Sequence, residues 1–289
     1  MGKTSNPKKL IRQNLSFYTI GLLIPIFLYL LFFFVYPLIE MFVISFMDPT
    51  FTLKNYIRIY QRPVYLMVIL NTFRLSLIVT CLALILGYPI AYLLSHIRKE
   101  IAQILMIFLV LPFWTSILVR MYAWMVILGR NGIINSLLLR LGVISTPIDL
   151  LFNTFSVIVG MVHFLLPFMV FPLFSVMNGI DKSLVMAAYN LGATPFRAFL
   201  KVFFPLSLAG VGAGLLITFI LAVGFFITPS LLGGRGDLVI SMLIENQIHV
   251  QYNWAFASSL AFVLLIFTLI IFNISSRFLG IDRIWGGKL

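Results

Sequence analysis

Two kinds of side chain in this chain could handle a charged solute. The carboxylates Glu40 and Glu245 could meet a cation. The aromatics Trp114, Tyr122 and Trp124 could take one on their faces by cation–π contact. His163, set in an apolar stretch, could line the same path, because polar groups at membrane depth are costly. Plainer readings stand beside these: exposed acids are solvated, aromatics form interfacial belts, and a histidine inside a helix is a hydrogen-bonded packing residue. Metal chemistry finds no ligand set. The three histidines are scattered, and the lone cysteine, Cys81, reads as a small buried packing residue. A Gly-x-x-x-x-Gly-Lys-Ser/Thr loop is lacking, so the chain cannot cradle ATP itself.

Helices must position these groups. The chain is 62% hydrophobic and 10% charged, with 29 Phe, against about half apolar and a quarter charged in soluble domains. Apolar runs lie at Phe17–Ile39, Leu66–Leu94, Ile101–Val119, Phe155–Met177, Leu206–Leu232 and Trp254–Ile274. Each meets or approaches the roughly 20 residues that a hydrocarbon core of about 30 Å demands. The expected fold is an all-α membrane protein with six transmembrane helices. Its parts are a basic cytosolic segment 1–16, a transmembrane domain 17–280 and a short cytosolic tail 281–289.

Lys3, Lys8, Lys9 and Arg12 precede the first run and hold the N-terminus in the cytosol. Six crossings then place Arg98, Lys99, Lys182, Arg197, Lys201, Arg277, Arg283 and Lys288 inside as well. Lys54, Arg58, Arg62, Arg130, Arg140 and Arg235 fall outside, and the bias supports the assignment. Both termini are cytosolic on this reading. The net charge of +12 is an orientation signal; nucleic-acid binding would need a clustered basic face. The first run is too long for a signal peptide and no small-residue cleavage site follows it, so it reads as an uncleaved anchor. The start misses a myristoylation pattern at Asn6. Glu40 sits at the outer end of the first span and Glu245 in the last external loop, with Asp237 neutralised by nearby Arg235.

Between the spans, Thr52 is expected to cap a short surface helix. The tight turn Ser95–Glu100 makes spans two and three an antiparallel pair. Arg120–Trp124 continue the helical pattern past the third span until Gly129-Arg130-Asn131-Gly132 breaks it. An amphipathic piece, Ile133–Leu141, then lies along the outer interface and ends at Gly142. Pro167 and Pro172 predict a kink in span four. Gly210, Gly214, Thr218 and Ala222 recur every four residues in span five, a small-residue stripe that lets a helix approach closely. That stripe serves either packing within one bundle or contact with a second subunit. The two halves of the chain do not mirror each other as an inverted-repeat secondary transporter would.

The segment Asp181–Pro205, between spans four and five, is far longer than a turn requires. Lys182–Leu191 lacks Gly and Pro and can form nearly three helical turns. Gly192 can take the left-handed conformation that ends a helix. Thr194 followed by Pro195 is a restart signal, a hydroxyl cap with proline at the first helical position. Phe196, Phe199, Leu200 and Phe203 then recur at helical spacing as one apolar face, and Pro205 sets the start of span five. The expected shape is a helix–glycine–helix elbow in the cytosol. By itself it could equally be an amphipathic connector resting on lipid headgroups.

This loop resembles the EAA loop of ABC-importer permeases, whose pattern is Glu-Ala-Ala, three variable residues, Gly, then about nine residues to an apolar-x-Leu-Pro ending. Ala187-Ala188, Gly192, Ala193 and Pro205 match in register. Met186 stands where the family has Glu, so any ion pair of that carboxylate is absent, and Phe203-Phe204-Pro205 departs from the usual ending. Leu111-Pro112-Phe113-Trp114-Thr115 with Arg120-Met121-Tyr122, Gly142–Pro147, Leu165–Leu173, Pro229–Gly234 and Gln251–Phe256 are similar to spermidine/putrescine permeases, in order along the chain. The chain looks like the first of that importer's two permeases.

The resemblance implies a non-catalytic bacterial inner-membrane subunit, multi-pass, forming half of a translocation pathway. Its implied partners are a second, non-identical permease, two ATPase subunits that hold ATP and Mg, and an external substrate-binding protein, in a membrane lipid setting. No cofactor is expected on this chain and no nucleic acid beside it. Met186, Ala187, Ala188, Asn190, Leu191, Gly192, Ala193, Thr194, Pro195 and Phe196 are implied to dock on the ATPase. Polyamines are the implied solute, with opines or other small amines and organic ions as the alternative. A secondary transporter would need a carboxylate relay inside the membrane, which the spans lack.

Overall fold

The computed structural model describes residues 23–48 and 50–278, nearly all of them helical. In chain order the helices are α1 (Leu23–Ser45), α2 (Lys54–Gln61), α3 (Pro63–His96), α4 (Lys99–Val110), α5 (Ile117–Leu128) and α6 (Ile133–Arg140). Then come α7 (Thr154–Asn178), α8 (Lys182–Asn190), α9 (Pro195–Val223), α10 (Ile227–Leu232), α11 (Ile240–His249) and α12 (Trp254–Phe278). Among the described residues six stretches are long and apolar enough to cross a membrane. The basic segment 1–16, with Lys3, Lys8, Lys9 and Arg12, the start of the first run, Pro49 and the tail 281–289 lie outside the described residues.

The bundle is built on α3, α7 and α9, and small residues bring the three together. Gly87 of α3 lies on Met169 and Val170, and Gly210 lies on the carbonyl of Pro172 and on Leu173. A Cβ at Gly214 would stand 2.7 Å from Met169 Sδ and 3.1 Å from its carbonyl oxygen. Gly210, Gly214, Thr218 and Ala222 are all buried inside this chain. The stripe therefore packs one bundle, and its reading as a contact with a second subunit falls. Without a hydrophobic difference between lipid and side chains, such close backbone approach is what holds helices together.

Three hydroxyls on α3 are satisfied locally. On α3, Thr72, Ser76 and Thr80 each donate to the carbonyl four residues earlier, at 2.8, 2.8 and 2.7 Å, the usual escape for a hydroxyl on a membrane helix. Thr72 Oγ1 also accepts from the Ile240 amide at 2.9 Å, tying α11 to α3. Helix α1 is the least buried: Leu23–Val43 are exposed, and only its second half packs on α12, with Phe42 against Phe262 at 4.7 Å between ring centres. Its end is held by Ser259, which donates to the Ser45 carbonyl at 3.0 Å.

Several expectations are corrected. The third apolar run is not one helix: α4 ends at Val110, a tight turn follows at Leu111–Trp114, and α5 starts at Ile117. Pro112 offers no amide to the preceding turn, which favours the break at that point. Span five stops at Val223 rather than Leu232, because Gly224 and a new short helix intervene. Pro205 marks no boundary, since α9 runs unbroken from Pro195, with one wide π turn at Phe199–Phe203. Cys81 is exposed on the flank of α3, not buried. Helix α2 begins at Lys54 behind Leu53, and the Thr52 hydroxyl accepts only the Lys54 amide, at 3.2 Å. Glu245 lies on a helix, α11, and not in a loop.

Candidate coupling surface and translocation path

The elbow is defined by its caps. Asp181 starts α8 by accepting the Ser183 amide at 2.8 Å, and that bond holds the carboxyl below its ordinary range. At the other end Gly192 has φ +82°. The Gly192 amide reaches the Tyr189 carbonyl at 2.9 Å and the Ala193 amide reaches Ala188 at 3.0 Å. That paired closure is the Schellman arrangement, which consumes carbonyls a helix end would otherwise leave open. Thr194 then accepts the Arg197 amide at 3.4 Å, with Pro195 in the first turn of α9.

No residue of α8 is buried. Met186 is 58% exposed, Leu191 89% and Phe196 70%, and Ala187, Asn190, Gly192, Thr194 and Pro195 are exposed with them, while Ala188 and Ala193 are half-buried. Apolar side chains gathered on an outward elbow mark a surface that another body covers. The expected single face of Phe196, Phe199, Leu200 and Phe203 is split: Phe203 is buried and Phe199 half-buried, while Phe196 and Leu200 face outward. The wide π turn causes the split by shifting the phase of the helix. Inward, Phe199 and Phe203 meet Tyr92 at 5.6 and 5.1 Å between ring centres, and Phe203 meets His96 at 5.3 Å. A cleft of about 290 Å³ lies there, between α8 and the end of α3, lined by Tyr92, His96, Val185, Met186 and Phe199 among others. The elbow thus rests on the bundle along one side and offers the other.

The residues expected to line a path do not come together as one site. Trp114 is 89% exposed at the α4–α5 break, and Tyr122 is exposed on α5. His163 instead accepts the Trp124 indole N–H at 3.3 Å, an arrangement that uses Nδ1 as an acceptor. It is half-buried packing between α5 and α7. Glu40 is exposed on α1 and Glu245 half-buried on α11, helices that pack on α12 and not on the α5 group. Asp237 is not paired with Arg235: it is buried, and accepts from the Thr154 hydroxyl and, at 2.8 Å, from the Gly234 amide.

Sequence reasoning passed over Arg120. It is 7% exposed, its Nη2 donates to the Thr115 carbonyl at 3.2 Å, and its guanidinium carbon lies 5.1 Å from the Phe164 ring centre. An arginine within an apolar run, four residues after Ser116, was the available signal.

Comparison with known proteins gives four findings. Residues 83–280 match the family described as binding-protein-dependent transport system inner membrane component. The spermidine/putrescine transport system permease protein PotB of Haemophilus influenzae is 35% identical over 261 residues, covering 88% of this chain and 90% of that one. PotB of Escherichia coli K12 is 39% identical over 222 residues, covering 77% and 80%. Among solved structures, a bacterial ABC transporter involved in import of the acidic polysaccharide alginate superposes with TM-score 0.74 at 18% identity, covering 94% of this chain and 99% of that one. The last of these speaks to the fold alone.

Proposed function

The chain belongs to the binding-protein-dependent transport system inner membrane components, and from that premise we propose that it is one permease half of a spermidine/putrescine importer. The observation that carries the solute assignment is similarity along nearly the whole length of both chains to a permease of that name. The elbow Asp181–Pro205 supports a coupling role. It presents exposed apolar side chains between two well-capped helix ends, and α9 leads from it without a break through the membrane-length helix.

In this reading a separate ATPase subunit holds ATP and Mg and grips Met186–Phe196. Closure of the two ATPases pushes the elbow, α9 moves as a body, and the α7–α9 seam carries the motion into the bundle. With Met186 in place of the family's Glu, the grip is apolar at that position. A second, non-identical permease supplies the other half of the pathway, and an external binding protein delivers the solute. Both termini lie in the cytosol of the bacterial cell. Selectivity sits mainly outside this chain, because its candidate path residues do not gather into one site and, among the described residues, no buried carboxylates cluster for a polycation.

The test is the ATPase rate of the complete complex in lipid nanodiscs with its binding protein, with and without spermidine or putrescine. Stimulation by the loaded binding protein is expected. A complex that hydrolyses ATP but responds only to opines or other small amines would replace the solute. Failure of this chain to recruit any ATPase would overturn the coupling role.

A further inference from the structure

The α4–α5 break holds a positive centre, Arg120, that no acidic side chain among the described residues pairs with. Its depth can be read from its neighbours. Phe113, in the tight turn, meets Phe164 and Phe168 at 5.1 and 5.3 Å between ring centres, and those two residues flank the middle of the 25-residue α7. Irregular backbone at that depth is not tolerated against lipid, only against protein or a wet cavity. Yet Trp114, Thr115 and Ser116 are exposed on this chain. Their exposed side therefore faces the pathway or a second subunit.

Two independent features make that side anion-seeking. Helix α5 has 12 residues and its first turn receives no side-chain cap, so open amides and the positive end of the helix dipole point into the break. Arg120 folds back over the same turn through its bond to the Thr115 carbonyl. It is 7% exposed, and its Nε and Nη1 are buried without an acceptor. A buried guanidinium left this way is strongly unfavourable unless an anion completes it. Broken helices whose N-termini face the middle of a membrane serve transporters as anion sites.

We propose that the break at Leu111–Ser116 with Arg120 is a carboxylate site in the assembled importer. The carboxylate comes either from an acidic side chain of the second permease or from an amine solute that also carries one. In the first case it locks the two halves together and neutralises the path for a cation. In the second it lets the site tell amino acids from diamines. The inference rests on the permease reading and not on the polyamine assignment.

The test uses the complete complex in nanodiscs with Arg120→Gln and Arg120→Lys. Two quantities are read: retention of the second permease by native mass spectrometry, and inhibition of spermidine uptake by 4-aminobutyrate, which matches putrescine in length but ends in a carboxylate. With a partner carboxylate, Arg120→Gln loses about tenfold in retention, a change of roughly 1.4 kcal/mol. Arg120→Lys then loses less, and an acid-to-arginine change in the second permease restores Arg120→Glu. With a solute carboxylate, retention holds and inhibition by 4-aminobutyrate falls about tenfold. Wild-type retention and inhibition in Arg120→Gln overturn the proposal. So does equal loss of folded chain in the Gln and Lys variants, which would make Arg120 a packing residue. A wild-type complex that takes up no spermidine would fail the polyamine assignment while leaving the retention measurement to decide this one.

Discussion

At Gly192 a Cβ would meet nothing within 4 Å, yet φ is +82°. At Gly214 no left-handed backbone is involved, yet a Cβ would stand 2.7 Å from Met169 Sδ. One glycine is needed for the direction of the chain in open space, the other for the absence of a side chain in a crowded one. The first lies on the elbow proposed to couple to another molecule, and the second in a seam that must form before any such surface exists. Substitutions at the two should therefore fail in different ways.

The largest effect is expected at the seam. Gly214→Leu forces atoms into Met169 and its carbonyl, and overpacking of this kind costs up to roughly 3 kcal/mol. The folded yield of the complex in size-exclusion profiles should collapse. A Gly214→Leu complex that assembled normally and lost only coupling would erase the contrast. At the elbow, Gly192→Val should cost about 1–2 kcal/mol through its positive φ alone, leaving the complex assembled while loaded binding protein no longer stimulates ATP hydrolysis. Full uptake by Gly192→Val would remove the coupling role, and Gly192→Asn, which tolerates that conformation, should retain most of the stimulation.

The smallest effect is titration of the elbow's first cap. The Asp181 carboxyl is held low by the Ser183 amide, so its folded pKa lies below the unfolded one. The cap is then fully present above the ordinary carboxylate range and is lost as pH falls through the depressed folded value. Hydrogen exchange of the α8 segment, corrected for intrinsic rates, should accelerate on that acid limb in the native chain. It should stay flat in Asp181→Asn, which keeps a capping oxygen but does not titrate. Equal acid sensitivity in both would assign the change elsewhere.

Much of this was legible in the sequence, for definite reasons. The elbow was readable because its signals are local: a run without Gly or Pro, a glycine, then Thr194-Pro195. The placement of α3, α7 and α12 followed from apolar length. What failed was whatever hydropathy averages over. Ile101–Val119 stays apolar across the α4–α5 break, so a window sees one span where Pro112 makes two helices. Cys81 was misplaced because a membrane helix is as apolar toward lipid as toward its neighbours, and periodicity then carries no direction. The small-residue stripe announced close approach but not to whom; only Met169 and Pro172 on α7 answered that. Arg120 went unweighed because its meaning lies in the partners it lacks.

The π turn at Phe199–Phe203 has a consequence of bearing rather than of contact. Each residue of an α-helix advances the chain by about 100° around its axis, and a π turn holds one residue in excess of the α count. The elbow therefore points, relative to the membrane-length part of α9, where a helix one residue shorter would point it, because the π turn absorbs a single surplus residue. Deleting one residue there would let the turn close as ordinary α-helix and leave the bearing of Phe196 nearly unchanged. Forcing the undeleted residues into α geometry would instead swing Phe196 and the whole elbow by roughly 100°, like a weathervane reset to a different quarter.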